Sequence, residues 1–320
     1  MGGIALGKFN LNEKFPQVVF MGNGIVYDGN LSWDQLIKKT ACEGVDVTKY
    51  KNEHNKFELP YSILSFVTAD NNDQSRHEKY IKEINSRKYK SNNCIEELLN
   101  LPLDAILTTN YTYEIEYAIN NNYPRLSNKQ KCEFSKCTTD NHGKGKVDAR
   151  YLIHTYNKFD EFPSIWHIHG EARRKTSLIL SHDEYARLVN KILEFNTKRK
   201  NDYEKFRNEF KIKSWIDYFI LGDIYIIGCS FDFAEFDLWW LINRKKREKT
   251  PTGKVYFYEP IEPRNKYKQM ALIDIGAEVL NLDTEIFDSD SDEDKSDKYQ
   301  KFYLKTIEDI KIRIQNKLNK

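Results

Sequence analysis

The sequence predicts an α/β protein with a doubly wound, mostly parallel sheet and helical insertions. Three observations predict this fold: short runs of consecutive apolar residues, helical segments between them, and small or polar residues directly after each run. Strands that are buried on both faces show continuous apolar runs. Strands that alternate with helices form parallel sheets through right-handed crossovers.

Six apolar runs are predicted to be strands. They are QVVFM (Gln17 to Met21), DAILTT (Asp104 to Thr109), SIWHI (Ser164 to Ile168), IYIIG (Ile224 to Gly228), KVYFY (Lys254 to Tyr258) and AEVLNL (Ala277 to Leu282). Helices are expected at 31–40, in the segment that follows Asn110, and at 182–195 with Ser181 as its N-cap.

The chain divides into a core and three other segments. The core is predicted to comprise residues 1–40, 100–120 and 160–285, because the strand and helix patterns alternate there. Segment 41–99 is expected to be a helical insertion, and 121–159 an irregular or helical one. Segment 286–320 is expected to form a solvated acidic loop and an amphipathic helix, whose apolar face packs on the sheet. That face comprises Phe302, Ile307, Ile310, Ile314 and Leu318.

Composition excludes several classes of protein. The 320 residues contain 50 Lys and Arg against 48 Asp and Glu, so no basic excess favours direct nucleic-acid binding. No run of about 18 apolar residues is present, which disfavours a membrane span. The start of the chain lacks a signal-peptide pattern, and the cysteine count is odd at five. We therefore expect a cytoplasmic protein with reduced thiols.

Polar or small residues follow five of the predicted strands. Ligands of open parallel sheets bind at the carboxyl ends of the strands, so these residues are expected to share one rim. They are Gly22-Asn23-Gly24, Thr109-Asn110-Tyr111, His169-Gly170, Gly228-Cys229-Ser230-Phe231 and Tyr258-Glu259.

The glycine loop after the first strand has two interpretations. Its backbone N–H groups and the following helix would suit a phosphate. It also suits an ordinary strand-to-helix turn, and Tyr27 stands where a full G-x-G-x-x-G motif has its third glycine.

His169 and Asn110 are the candidates for chemistry. A strand-end histidine can act as a general base near neutral pH, and a strand-end asparagine can orient a water or an amide ligand. The alternatives are a hydrogen-bonded structural histidine and an asparagine that caps a turn. For His167, on the same strand face, the structural role is favoured.

Taken together, these residues resemble the sirtuin-like NAD-consuming family, most closely its bacterial antiphage branch. The matching motifs run in the family's order: Gly22-Asn23-Gly24, LSWDQLI (Leu31 to Ile37), Thr108-Thr109-Asn110-Tyr111 with Glu116, Ile168-His169-Gly170, SLILSHDEYARL (Ser177 to Leu188), and Gly228-Cys229-Ser230-Phe231 with Asp237. The resemblance implies a Rossmann-like fold, with Asn110 and His169 as catalytic residues. It implies an NAD site that we expect to include Gly22, Asn23, Gly24, Thr109, Tyr111, Gly228, Ser230, Phe231 and Glu259.

Two departures from the family pattern narrow the expectation. Sirtuin deacylases carry two CxxC pairs for zinc, whereas no cysteine lies between His169 and Cys229 here. Hydrolysis of NAD is therefore favoured over deacylation, with NAD as substrate and no metal. Thr112 stands where the family usually has Asp. Structural zinc at Cys132, Cys137, His142 and His154 stays open, since all four are ligand types but their spacing matches no standard finger.

The resemblance also implies a biological role. The expected activity is an NAD glycohydrolase that releases nicotinamide and ADP-ribose as a regulated effector of antiphage defence, acting by abortive infection. A homo-oligomer or a companion sensor protein, such as a HerA-type ATPase or an Argonaute, would restrain it. The alternatives are a module that senses NAD or an ADP-ribose derivative without cleaving it and, less favoured, an NAD-dependent deacylase.

Overall fold

The computed structural model describes the parts of the chain that build the sheet and its flanking helices. The described residues are 8–26, 37–39, 41, 44–52, 59, 64, 73–85, 92–122, 154–156, 163–171, 177–180, 182–231, 235–261, 266–285 and 291–318. The strands are β1 Lys8–Phe9, β2 Gln17–Met21, β3 Ala105–Thr108, β4 His154–Tyr156, β5 Ser164–His167, β6 Phe210–Lys211, β7 Asp223–Ile227, β8 Val255–Ile261 and β9 Ala277–Glu285. The helices are α1 Asp73–Asn85, α2 Asn93–Leu99, α3 Glu114–Asn122, α4 His182–Lys205, α5 Trp215–Leu221, α6 Phe236–Lys246, α7 Lys266–Asp274 and α8 Asp292–Leu318.

A seven-stranded sheet organises the fold. Its order is β4-β5-β3-β2-β7-β8-β9. Six of these strands are parallel, and β4 lies antiparallel at one edge. A separate two-stranded sheet pairs β1 with β6. The predicted α/β fold with a mostly parallel, Rossmann-like sheet is confirmed.

Helices cover both faces of the sheet, as the doubly wound pattern requires. On β2, Val18 and Phe20 face a core shared with α4, α5, α6 and α7. Val19 and Met21 face the opposite core, shared with α2, α3 and α8. This alternation explains why the strand is apolar at every position from Val18 to Met21, since each side chain is removed from water on one face or the other.

All six predicted strands are present, and their ends differ by a few residues. Thr109, Ile168 and Gly228 fall just beyond the hydrogen-bonded strands, whereas β8 and β9 continue three residues further than predicted. Strand β4 was not predicted, because three residues in a segment without a clear period give no signal.

The regions between the strands also differ from prediction in places. The predicted helix 31–40 is described only at 37–39, where it is helical, and Ser181 lies outside the described residues. Within the predicted insertion 41–99, α2 packs against α3 and α8 on the sheet face. The described residues of 121–159 are only 121–122 and β4.

The amphipathic helix α8 packs on the sheet through its apolar face. Phe302, Ile307, Ile310 and Ile314 are buried, whereas Leu318 is 56% exposed. Burial of each such side chain stabilises the fold by roughly 1.5–3 kcal/mol. The helix starts at Asp292, so the prediction of an acidic loop is wrong from 292 onward. Carboxylates near a helix N-terminus interact favourably with its dipole, which is consistent with this earlier start.

Candidate active site

Five predicted clusters meet at the carboxyl edge of the parallel sheet. The neighbouring strands β5, β3, β2, β7 and β8 present, in that order, His169, Asn110, the glycine loop, the Gly228 loop and Glu259. Residues that are far apart in sequence thus lie along one rim, as the strand-end argument requires.

Asn110 is buried directly after β3, and its backbone is held on both sides. Its N–H donates to Oγ1 of Thr108 at 3.0 Å, and its carbonyl oxygen lies 2.7 Å from Nδ1 of His167. Its side-chain Nδ2 is buried and has no hydrogen-bond partner among the described residues. A buried amide donor without a partner is costly, so this atom is available to a ligand or a water.

His169 is buried after β5 and faces a carboxylate. Its Nε2 lies 2.8 Å from Oδ2 of Asp237, in the first turn of α6, and the ring of Tyr185 packs edge-on at 5.2 Å. Burial alone would lower the pKa of His169, but the charges of Asp237 and Glu235 and the hydrogen bond to Asp237 outweigh burial and raise it. In the neutral ring, Asp237 keeps the proton on Nε2 and leaves Nδ1 as the basic atom.

Gly170 lets the chain turn sharply beside His169. Its φ of 91° lies in the left-handed region, and a Cβ there would collide with the backbone of Ser177. The N–H of Ile179 donates to the His169 carbonyl at 2.9 Å. The segment 177–180 is therefore packed against the histidine.

His167 and Glu116 form a second buried pair beside Asn110. Nε2 of His167 lies 2.7 Å from Oε1 of Glu116, and both side chains are almost completely buried. The structural role predicted for His167 fits these two ring contacts, which tie α3 to the start of the Asn110 turn.

The glycine loop packs tightly against the loop after β7. The N–H of Gly22 donates to the Ile227 carbonyl at 2.9 Å, and the N–H of Gly24 donates to the Gly228 carbonyl at 2.7 Å. A Cβ on Gly24 would lie 2.8 Å from that carbonyl oxygen. These two N–H groups are therefore committed to β7 and its loop, so phosphate binding by them is not what the glycines provide here.

Asn23 lies between the two glycines of the loop. Half-buried Asn23 begins a short 3-10 helix, Asn23–Val26, which therefore starts within the loop. The loop thus approaches the rim through its backbone, and Asn23 is its only residue that is not a glycine.

Phe231 and Ser230 occupy different environments after β7. The ring of Phe231 is buried between Trp239 and Phe257, at centroid distances of 5.2 and 5.7 Å, so its side chain belongs to the core. Its φ of 53° turns the chain. Ser230 is exposed, and its carbonyl accepts a hydrogen bond from Lys268 at 2.9 Å.

Glu259 is buried near the end of β8 and pairs with α7. Nζ of Lys268 donates to its Oε1, and Nε2 of Gln269 donates to its Oε2 at 3.2 Å. The same lysine binds the Ser230 carbonyl, so it joins two of the predicted cofactor-binding positions.

Tyr111 and Thr109 lie on either side of Asn110. The hydroxyl of Tyr111 donates to the Ile179 carbonyl at 2.7 Å, which fixes the segment behind His169. Burial raises the pKa of Tyr111, so the phenol stays protonated. Thr109 is half-buried, and Thr112, at the position where the resemblance expects Asp, is buried.

Three functional candidates were missed by sequence reasoning. The sequence motifs include Asp237 and Glu116 but indicate no role for either, and no motif includes Lys268. Each lies on a helix, where a single charged residue is typical of a solvated face. The available signal was position, since Asp237 follows the Gly228 loop and Glu116 follows Asn110.

Other parts of the described chain give no competing centre. A cavity of about 620 Å³ lies at the amino edge of the sheet, among Gln17, Asp104 and Asp223, away from the rim. Among the described residues, no group of three or more potential ligands is arranged to hold a metal ion. Cys132, Cys137 and His142 lie outside the described residues. No helix in the described part of the chain is long and apolar enough to span a membrane.

The fold and the rim together define a class of protein: an open α/β sheet with a polar site at its carboxyl edge. Comparison with protein-family models identifies the class more closely, since residues 104–275 match the SIR2-like domain and the chain belongs to this family. SIR2-like domains are in general NAD-dependent enzymes. The matched range includes Asn110, His169, Gly228 and Glu259, and it begins after the glycine loop. A search of curated proteins found no match.

Proposed function

We propose that this protein is an NAD glycohydrolase that cleaves the nicotinamide–ribose bond. The observation that carries the proposal is the pairing at neighbouring strand ends of Asn110, whose buried amide Nδ2 has no described partner, with His169, whose ring is held by Asp237. A site that only senses NAD does not need a histidine backed by a buried carboxylate.

The reaction breaks the bond between ribose C1′ and the nicotinamide nitrogen and forms a bond between C1′ and a water oxygen. Nicotinamide leaves as a neutral molecule, so no strong acid is required. The site must stabilise an oxocarbenium-like ribose and deliver the water. In this proposal Asn110 orients the water, and Nδ1 of His169 takes its proton, directly or through a ribose hydroxyl.

The buried carboxylate of Asp237 supports this assignment of roles. It fixes the imidazole ring, favours the proton on Nε2, and stabilises the imidazolium that forms when Nδ1 accepts a proton. Asp237 is 0% exposed, and its Oδ1 has no hydrogen-bond partner among the described residues. That oxygen can accept a hydrogen bond from a ribose hydroxyl or a bound water.

We further propose that the activity serves antiphage defence by depleting NAD, as the resemblance to the antiphage branch implies. An enzyme that destroyed NAD continuously would kill its own cell. We therefore expect a homo-oligomer or a companion sensor protein, such as a HerA-type ATPase or an Argonaute, to restrain it. NAD is the substrate of the proposed reaction, which uses no metal.

The experiment measures nicotinamide release from NAD. The purified chain and the chain co-expressed with its genomic neighbours are compared with Asn110→Ala and His169→Ala, and exposed Asn201→Ala is the matched control. We expect the wild type and the control to release nicotinamide and both site variants to lose at least about 100-fold.

Three results would count against the proposal. Failure of both wild-type preparations to release nicotinamide would show that it is wrong, and NAD binding in the same samples would favour a sensor. Site variants as active as the wild type would show that Asn110 and His169 do not have the proposed catalytic roles. Release only with an acylated peptide would identify a deacylase.

A further inference from the structure

His167 contacts two hydrogen-bond acceptors through its two ring nitrogens. Nδ1 lies 2.7 Å from the Asn110 carbonyl oxygen, and Nε2 lies 2.7 Å from Oε1 of Glu116. A carbonyl oxygen only accepts hydrogen bonds, and so does an ionised carboxylate. Both ring nitrogens therefore donate, and the ring carries a positive charge beside Asn110.

The charged groups around the ring favour this state. Burial would lower the pKa of His167, but the charge of Glu116 and its hydrogen bond, together with the charge of Glu171, raise the pKa to about 9. Glu116 faces the ring from α3, and Glu171 faces it from the turn after β5. Tyr113, whose ring lies 5.7 Å away, donates its hydroxyl hydrogen to Glu171. His167 is therefore protonated at neutral pH.

The backbone of Asn110 is thereby held at both its N–H and its carbonyl group. Thr108 binds its N–H and His167 binds its carbonyl, while the side-chain Nδ2 has no described partner. The two backbone contacts restrict movement of the residue and leave its side-chain amide available to a ligand or a water. A clamp of this kind matters because a displacement of 1 Å at a reacting centre can cost about 100-fold in rate.

We propose that His167 is a positioning residue for the cleavage reaction: bridged to Glu116, it holds the Asn110 backbone so that the side-chain amide meets its water or substrate. This inference rests on the proposed NAD glycohydrolase activity. His167 acts through Asn110 and does not itself contact the reacting atoms.

The test separates kcat from KM in variants of the pair. His167→Phe keeps an aromatic ring and removes both hydrogen bonds, and we expect its kcat to fall about 10- to 100-fold with the KM for NAD within about threefold. Glu116→Gln keeps a hydrogen-bonding partner and removes the charge, so it is expected to retain more activity than His167→Phe. Exposed Glu97→Gln on α2 is the matched control. Thermal unfolding establishes that each variant is folded.

The pH profile supplies a readout that a purely structural role would not move. In the wild type, kcat is expected to fall as pH rises through about 9, because His167 then loses a proton and faces the Glu116 carboxylate. In Glu116→Gln, the largest of the charges that raise the pKa of His167 is gone, so this pKa is expected to fall and the ring to lose its proton at a lower pH. It can still donate from Nδ1 to Asn110 and accept at Nε2 from the amide that replaces the carboxylate, and the fall near pH 9 is expected to disappear.

The outcomes distinguish this inference from the proposed function. A wild type that releases no nicotinamide refutes the proposed function and also the positioning role, because the positioning role rests on that function. An active wild type whose folded His167→Phe variant keeps the wild-type kcat refutes the positioning role alone. If His167→Phe does not fold, the pH profile of Glu116→Gln decides, and an unchanged fall near pH 9 would overturn the inference.

Discussion

Nε2 of His169 lies 2.8 Å from Oδ2 of Asp237, although 68 residues separate the two in the chain. The first follows β5, and the second is in the first turn of α6, which follows β7. The contact joins the two sides of the rim across the strands that carry Asn110 and the glycine loop. It also raises the pKa of the histidine, because the charge of Asp237 and its hydrogen bond oppose the effect of burial.

Substitution of Asp237 is expected to change both the rate and the pH dependence of nicotinamide release. His169 must be neutral to accept a proton, so wild-type activity should rise as pH increases through its raised pKa. Asp237→Asn removes the charge that raises this pKa, so the rise should move to lower pH while kcat falls about 100-fold. Rates are measured between about pH 5 and pH 9. Exposed Asp183→Asn is the control, and an unmoved rise in Asp237→Asn would contradict the prediction.

The imidazolium of His167 is expected to make stability depend on pH. Its folded pKa of about 9 lies above the ordinary 6.5, so its contribution is complete below 6.5 and is lost as pH rises through about 9. The contribution is on the order of 3 kcal/mol. Lys245, whose pKa burial lowers to about 7, has the opposite effect over much of this range. Urea unfolding of wild type and His167→Phe isolates the histidine, and a difference that does not shrink with rising pH would refute the prediction.

Gly228 is expected to be intolerant of a side chain. Its φ is 62°, and a Cβ would lie 2.7 Å from the backbone nitrogen of Ile25. Gly44 is the matched control, since its φ is 82° but a Cβ there meets nothing within 4 Å. Gly44→Ala should therefore lose about 1 kcal/mol of unfolding free energy, because only the strain of a left-handed residue is added. Gly228→Ala should lose about 2 kcal/mol more. Urea unfolding measures both, and equal losses would mean that the two loops can separate at little cost.

Lys268 is expected to stabilise the rim through its buried pair with Glu259. Removing one partner of such a pair leaves an uncompensated charge, so Lys268→Met should lose about 3 kcal/mol of unfolding free energy. The double variant Lys268→Met/Glu259→Gln should recover part of that loss, because no buried carboxylate is then left unpaired. Exposed Lys266→Met at the start of the same helix is the control. A double variant less stable than Lys268→Met would argue against the pair.

The fold was predictable because its signal is local. Strand β2 was predicted with its observed bounds, since five consecutive apolar or long side chains are bounded by Pro16 and Gly22. The rim followed from the same signal, because parallel strands place their carboxyl ends together. The short edge strand β4 and the helical start at Asp292 were not predicted, since neither has an apolar period of its own.

The partners of the site residues were less predictable than the residues themselves. Asp237 and Glu116 meet their histidines only after the chain has folded, and apart from their positions after the Gly228 loop and after Asn110, the sequence does not indicate that either carboxylate is buried. For Phe231, the sequence indicated a role in the site, but the structure places its side chain in the core. The resemblance placed it at the NAD site, while the chain turn at a φ of 53° puts its ring in the core between Trp239 and Phe257.

The position of β2 in the sheet has a consequence for the time course of folding. Val18 pairs with Ala105 on one side and with Ile224 on the other. The two neighbours of this strand therefore lie about 90 and about 200 residues further along the chain, and the strand cannot pair until they are synthesised. Non-local pairing of this kind slows folding. During synthesis on the ribosome, Asn110 and His169 emerge well before Asp237 and α8. A nascent chain therefore passes through a long interval in which it contains both residues but has not yet assembled the rim on which the proposed activity depends.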